Sequence, residues 1–154
     1  MKFESVDLSK LTKPKRLVNK IFLHCSASDN PLHDDSRVIE KWHVERGFTE
    51  IGYHFFITKS GDIQEGRSLE KRPAAQKNRN LCTIAICCHG LDKELFTHKQ
   101  KISLRALCIR LYDLLGGIVT FHGHCEVDSG RSCPVFPYKD WLDLDENGRM
   151  KLSK

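Results

Sequence analysis

The sequence predicts an α/β fold: a single domain whose central mixed β-sheet of about five strands is flanked by helices. Three observations lead there. Short runs rich in β-forming residues alternate along the chain with segments of helical apolar spacing. One of those runs, Leu81 to Cys88, is apolar almost throughout, as a strand buried on both faces requires. A length of 154 residues supports one well-buried core and not two.

The elements follow in order. Met1 to Lys20 is charged and weakly patterned, an irregular lead-in that is partly docked. Leu17 to Cys25 reads as the first strand and ends in the polar cluster Ser26 to Pro31. His24 therefore falls at the C-terminal end of a strand, where α/β proteins gather functional side chains. Asp34, Asp35 and Ser36 open a helix that carries Val38, Ile39, Trp42 and His43 and stops at Gly47. Trp42 is expected in the core, with His43 hydrogen-bonded beside it. Ile51 to Lys59 reads as a strand, Ser60-Gly61-Asp62 as a turn and Ile63 to Glu65 as the returning strand. Lys71 to Asn80 is a polar loop. Lys99 to Leu115 presents Ile102, Leu104, Leu107, Leu111 and Leu114 at helical spacing before Gly116-Gly117. Ile118 to His122 is the last strand, followed by a loop, a short helix over Tyr138 to Leu142 and a frayed tail from Asp143.

Composition narrows the function. Hydrophobic residues make up 40% and charged residues 29%, a balance that excludes wholesale disorder. No apolar run approaches the roughly 20 residues that span a bilayer, and Met1 to Lys20 lacks the apolar stretch of a signal peptide. The net charge of +5 favours a polyanionic partner without choosing between nucleic acid and an anionic cell wall. Seven cysteines cannot all pair, so the expectation is a reducing compartment with mostly buried thiols. Cys82, Cys87, Cys88 and Cys108 sit in apolar patterns and read as core, and Cys25 should face away from His24.

Three residues stand out as metal ligands: His24 at a strand end, His124 just after a strand, and Cys133 in a tight loop. Two neutral imidazoles and a thiolate suit zinc, and three protein ligands leave the fourth position open, as catalytic zinc requires. Spacing alone leaves other readings open: a hydrogen-bonded strand-end His24, and Cys133 as a small buried hydrophobe.

A set of short segments then resembles the type 2 N-acetylmuramoyl-L-alanine amidases, the zinc amidase family that includes small phage lysozymes and peptidoglycan-recognition proteins. In order they are Ile21 to Ala27, Ile39 with Trp42-His43, Ile51 to Phe55, and Gly61-Asp62-Ile63 with Gly66-Arg67. Asn80 with Thr83-Ile84, Gly123 to Val127 and Arg131 to Pro134 complete the set. The resemblance implies a lead-in over 1–20, a catalytic domain over 21–142 and a tail over 143–154. It implies one zinc ion on His24, His124 and Cys133, with Tyr53 as a catalytic residue. Arg131 stands where related phage enzymes often carry Lys; it stays protonated and can only stabilise negative charge. Tyr53, with an ordinary phenol pKa near 10, is a better orienting group than base. Glu126 reads as a supporting or structural residue, His54 as core, and His122 as a rival ligand that fits the family pattern less well than His124. Ala74-Ala75-Gln76 lies where relatives often show a His, which leaves a substrate contact in this loop open.

The implied activity is zinc-dependent hydrolysis of the amide between N-acetylmuramic acid and the L-alanine of the stem peptide, as in a phage-type endolysin. The partner is peptidoglycan or a muropeptide, with no nucleic acid or membrane, and the protein is expected to be a monomer. It would be made in the cytoplasm and act on the wall after release. The alternatives are a cytoplasmic amidase that recycles anhydro-muropeptides, a non-catalytic peptidoglycan-binding module, a cysteine peptidase using Cys25 or Cys125, and a zinc nuclease. The binding module is disfavoured by the presence of Cys133. The peptidase lacks a cysteine at a helix N-terminus, and the nuclease lacks an aromatic-plus-basic patch or a second metal site.

Overall fold

The two longest strands pair with each other. In the computed structural model, which describes residues 5–152, β1 (Lys20–Cys25) and β4 (Thr83–Cys88) run parallel in register from Lys20↔Thr83 to Cys25↔Cys88. Beyond Lys20 every residue of both is buried, as strands covered on two faces must be. β2 (Phe55–Ile57) adds parallel to β4, β3 (Ile63–Glu65) antiparallel to β2, and β5 (Thr120–Gly123) parallel to β1. The sheet order is β3-β2-β4-β1-β5, the five-stranded mixed sheet that the sequence predicts.

Three helices complete the fold: α1 (Ser36–Glu45), α2 (His98–Leu114) and α3 (Tyr138–Trp141). The Asp35 side chain caps α1 by accepting the Arg37 N–H. Thr97 and Gln100 close a reciprocal capping box on α2, and Gly116 and Gly117 end it at positive φ. Strand alternation splits the interior in two. Ile21 and Leu23 point with Ile84, Ile86, Leu104, Leu107 and Leu111 into a large aliphatic core under α2. The opposite face holds a smaller cluster of Ile39, Ile51, Phe56 and Cys87, with Trp42 and Tyr53 at its margin. His24 shares that face, opposite Cys87 in the register.

Several boundaries move. The first strand begins at Lys20 rather than Leu17. The strand expected over 51–59 contracts to Phe55–Ile57 because the preceding backbone is engaged elsewhere. Gly52 N–H donates to His43 Nδ1 at 2.8 Å, and the Gly52 and Tyr53 carbonyls accept from Ala74 and Arg67. Leu81 is exposed and Cys82 takes a φ of 63°, so the central strand starts at Thr83 and Cys82 is only half-buried. Ile102 is 56% exposed on the outer side of α2, and Ile118 lies exposed ahead of β5. The segment after Asp143 is folded, not frayed. Leu144 bridges Met150, Phe121 N–H donates to the Gly148 carbonyl at 2.8 Å, and Met150 is buried in the main core. The lead-in docks as expected: Val6 N–H donates to the Ile63 carbonyl at 2.8 Å, and Val6, Leu8 and Leu11 pack on the core. Residues 1–4 of the lead-in and 153–154 of the tail lie outside the described residues.

Candidate metal centre

Register brings the two histidines together. β1 and β5 are parallel neighbours with Leu23 opposite Gly123, so the next residues, His24 and His124, emerge side by side at the sheet's C-terminal rim. Their ring centroids are 4.7 Å apart. His124 opens a 3-10 turn, His124–Glu126, which the Glu126 carboxylate fastens by accepting the Gly123 N–H at 2.7 Å. Glu126 also accepts the Tyr138 hydroxyl at 2.5 Å and bonds His122 Nδ1 at 3.0 Å. That leaves Glu126 a structural brace, and His122 is held away as its partner.

The loop then returns. Asp128 organises it by accepting Gly130 N–H on its side chain and Arg131 N–H on its carbonyl. Cys125 N–H donates to the Cys133 carbonyl at 2.8 Å, which closes the loop and brings the thiol back to β1. Cys133 Sγ accepts the Cys25 N–H at 3.1 Å and lies 3.9 Å from His24 Nδ1. One ligand atom from each of His24, His124 and Cys133 falls within 4.8 Å of the others. A tetrahedral zinc with bonds of about 2.0 Å to nitrogen and 2.3 Å to sulfur holds those atoms roughly 3.5 Å apart. The soft-plus-borderline donor set and its spacing therefore fit such an ion.

Electrostatics favour the required protonation states. His24 is 1% exposed, and burial together with the His124 imidazole pushes its pKa down to about 3. His124 is also lowered, by burial and by the Arg131 charge. Both imidazoles are thus neutral at pH 7. A hydrogen bond with the neighbouring Cys25 thiol, and burial, hold the Cys133 thiol well above the usual thiol range; a bound dication reverses this and takes the thiolate. Cys25, expected to face away from His24, pairs with Cys88 of the other face in the register, and its thiol interacts with Cys133 at the strand's end.

The remaining expected residues surround this cluster. The Tyr53 ring lies 5.1 Å from the His24 ring, and burial raises its phenol pKa well above 10, so it is a proton-bearing donor. Arg131 is bound to Asp128, with Nε 3.5 Å from Oδ2, and its charge is felt by both imidazoles. His43 accepts Gly52 N–H and His54 accepts Ala85 N–H at 3.1 Å, both buried structural roles. Arg67 donates to the Ile51 and Arg72 carbonyls, which gives the Gly66-Arg67 turn a structural purpose. Sequence reasoning missed Gln76, whose Oε1 lies 2.8 Å from His24 Nε2; a neutral polar residue in a polar loop carries no signal of burial. Along the same sheet face, Lys20, Phe22, Arg79 and Val127 line a groove of about 490 Å³ with basic side chains.

A His/His/Cys group that could hold one metal ion thus sits on the rim of a mixed sheet in an α/β protein. The chain belongs to the N-acetylmuramoyl-L-alanine amidase family, whose pattern it matches over residues 14–136. It is 33% identical over 140 residues to the endolysin of Enterobacteria phage T3, and equally to that of Escherichia phage T7. Each match covers 87% of this chain and 91% of the relative. The structure of the N-acetylmuramoyl-L-alanine amidase LysC from Clostridium intestinale URNW superposes with a TM-score of 0.73 at 28% identity, covering 86% of this chain and 85% of LysC.

Proposed function

We propose that this chain is a zinc-dependent endolysin that hydrolyses the amide between N-acetylmuramic acid and the L-alanine of the stem peptide. The observation that carries this reading is the convergence of His24, His124 and Cys133 ligand atoms within 4.8 Å in a chain of this family. We assign the catalytic unit to residues 21–142, acting as a monomer on peptidoglycan after release to the wall. Lys20 and Arg79, which line the groove on the same sheet face as His24, suit a wall polymer that carries carboxylates.

His24, His124 and Cys133 would hold one zinc ion, which when bound supplies Lewis acidity toward the amide carbonyl and lowers the pKa of water. The protein's own groups then act around it. Arg131 keeps its charge at any working pH and stabilises the negative charge that develops on the amide oxygen. Tyr53, kept protonated by burial, donates a hydrogen bond and orients the reacting oxygen instead of removing a proton. Burial keeps His24 a neutral ligand, and the Asp128 carboxylate holds Arg131 at the rim.

Metal analysis of the purified protein should find close to one zinc per chain. A chelator should abolish release of peptides with a free L-alanine N-terminus from sacculi, and zinc should restore it. Full activity without metal overturns the proposal. Activity on soluble anhydro-muropeptides but not on intact sacculi would replace the endolysin role with recycling.

A further inference from the structure

The loop 74–80 delivers a buried hydrogen-bond chain onto the back of His24. It is pinned at its start, because Ala74 N–H donates to the Gly52 carbonyl and a Cβ at Gly52 would collide with the Ala74 carbonyl oxygen. It is pinned again by Asn80, whose Oδ1 accepts the N–H groups of Ala75 and Gln76 at 3.0 Å each. Gln76 is thereby driven inward to 0% exposure.

The chain has only one consistent direction. The Asn80 carbonyl can only accept, so the Thr83 hydroxyl spends its hydrogen there, at 2.8 Å. Thr83 Oγ1 must then accept from Gln76 Nε2, also at 2.8 Å. The Arg79 carbonyl, 3.1 Å from the same Nε2, again only accepts. Two acceptors on one end fix the amide, so Oε1 is the atom that faces His24 Nε2 at 2.8 Å. An oxygen there requires an N–H on Nε2, and a neutral imidazole with Nε2–H has a bare Nδ1. Nδ1 is the atom aimed at Cys133 Sγ, 3.9 Å away.

We propose that Gln76 is a positioning residue that, through Thr83, Arg79 and Asn80, locks His24 in the Nε2–H tautomer and presents its Nδ1 lone pair to the metal. Outer partners of metal-bound histidines act in this way, and losing one typically costs about 10–100-fold in metal affinity. The role rests on the zinc reading above, but its first test does not need the ion.

Long-range ¹H–¹⁵N correlation spectra of the metal-free wild type should show His24 as the Nε2–H tautomer; an Nδ1–H tautomer overturns the inference. Zinc affinity, read by competition with a chelating dye, should fall about 10–100-fold in Gln76→Leu, which fills the same space without an acceptor. Gln76→Glu keeps the acceptor but sets a second oxygen against the Arg79 carbonyl, so it should retain the Nε2–H tautomer while binding zinc less tightly than the wild type. A purely space-filling Gln76 predicts Gln76→Leu near wild type in affinity, and that result also overturns the inference. If Gln76→Leu does not fold, the wild-type tautomer decides alone. If the wild type binds no zinc, the metal reading fails while the spectrum still reports on the Gln76 hydrogen bond.

Discussion

The two faces of the sheet are built from the same strands and do different work. On the α2 side, Ile21 and Leu23 interlock with Ile84, Ile86, Leu104, Leu107 and Leu111, an interior with scarcely a polar atom. On the other side, the intervening His24 meets His124, Tyr53, Gln76 and Cys133, and buried polar atoms need partners. The first face stabilises the chain through burial alone. The second gives up part of that stabilisation to hold neutral imidazoles and a thiol where a cation can use them. One strand serves both because its side chains alternate.

Substitutions should separate the faces. The largest effect is expected for Cys133→Ser, which should cut amidase turnover by at least about a thousandfold. Zinc content should drop with it, while the melting temperature of the metal-free protein stays near wild type. A melting temperature that collapsed instead would mean the cluster is part of the structural core. Arg131→Ala should lower kcat by about 10²–10³-fold, the usual cost of a lost oxyanion partner, with zinc content unchanged. On the other face, Leu107→Ala should cost about 2–5 kcal/mol of unfolding free energy by denaturant titration. Its specific activity per folded molecule should survive; a turnover loss as deep as that of Arg131→Ala would break the division. Tyr53→Phe should reduce kcat about 10–100-fold with little change in stability, because Arg131 still serves the same oxygen. Unchanged turnover would remove Tyr53 from the catalytic group.

The smallest expected effect is a pH dependence of stability. Burial holds His54 at a pKa of about 4, below its unfolded 6.5, and His43 likewise. Below pH 6.5 the unfolded chain binds protons that the fold refuses, so stability is full above that pH and declines as pH falls toward 4. By pH 5 the loss should be about 1–2 kcal/mol for His54, seen as a lower melting temperature than at pH 7.5. His54→Gln should flatten that slope.

Much of the fold was legible because periodicity reports burial directly. The all-apolar run ending at Cys88, the spacing of Leu104, Leu107 and Leu111, and the caps at Asp35 and Gly116 each name an element. Legibility failed where backbone groups bond outside a ladder. Ile51 to Tyr53 look like strand, but their N–H and C=O groups are taken by His43, Ala74 and Arg67. Ile102 fits a helical stripe yet lies beyond the width of the core. At the candidate site, His24, His124 and Cys133 stood out by residue type and position, Tyr53 and Arg131 through short family-like segments, and all lie close together in space. Gln76 and the contact of Cys25 with Cys133 were not found, because contacts between a strand and a loop 52 or 108 residues away leave no trace in local composition.

The docking of both chain-terminal segments has a further consequence. A five-stranded open sheet offers two outer strands with unpaired amides, a template on which another molecule can add itself. Here Val6 and Ser5 bond Ile63 of β3, and Gly148 bonds Phe121 of β5, so each outer strand already has a companion from its own chain. Each sheet margin is thus partly closed to edge-to-edge pairing by residues of its own chain that lie far from the candidate site.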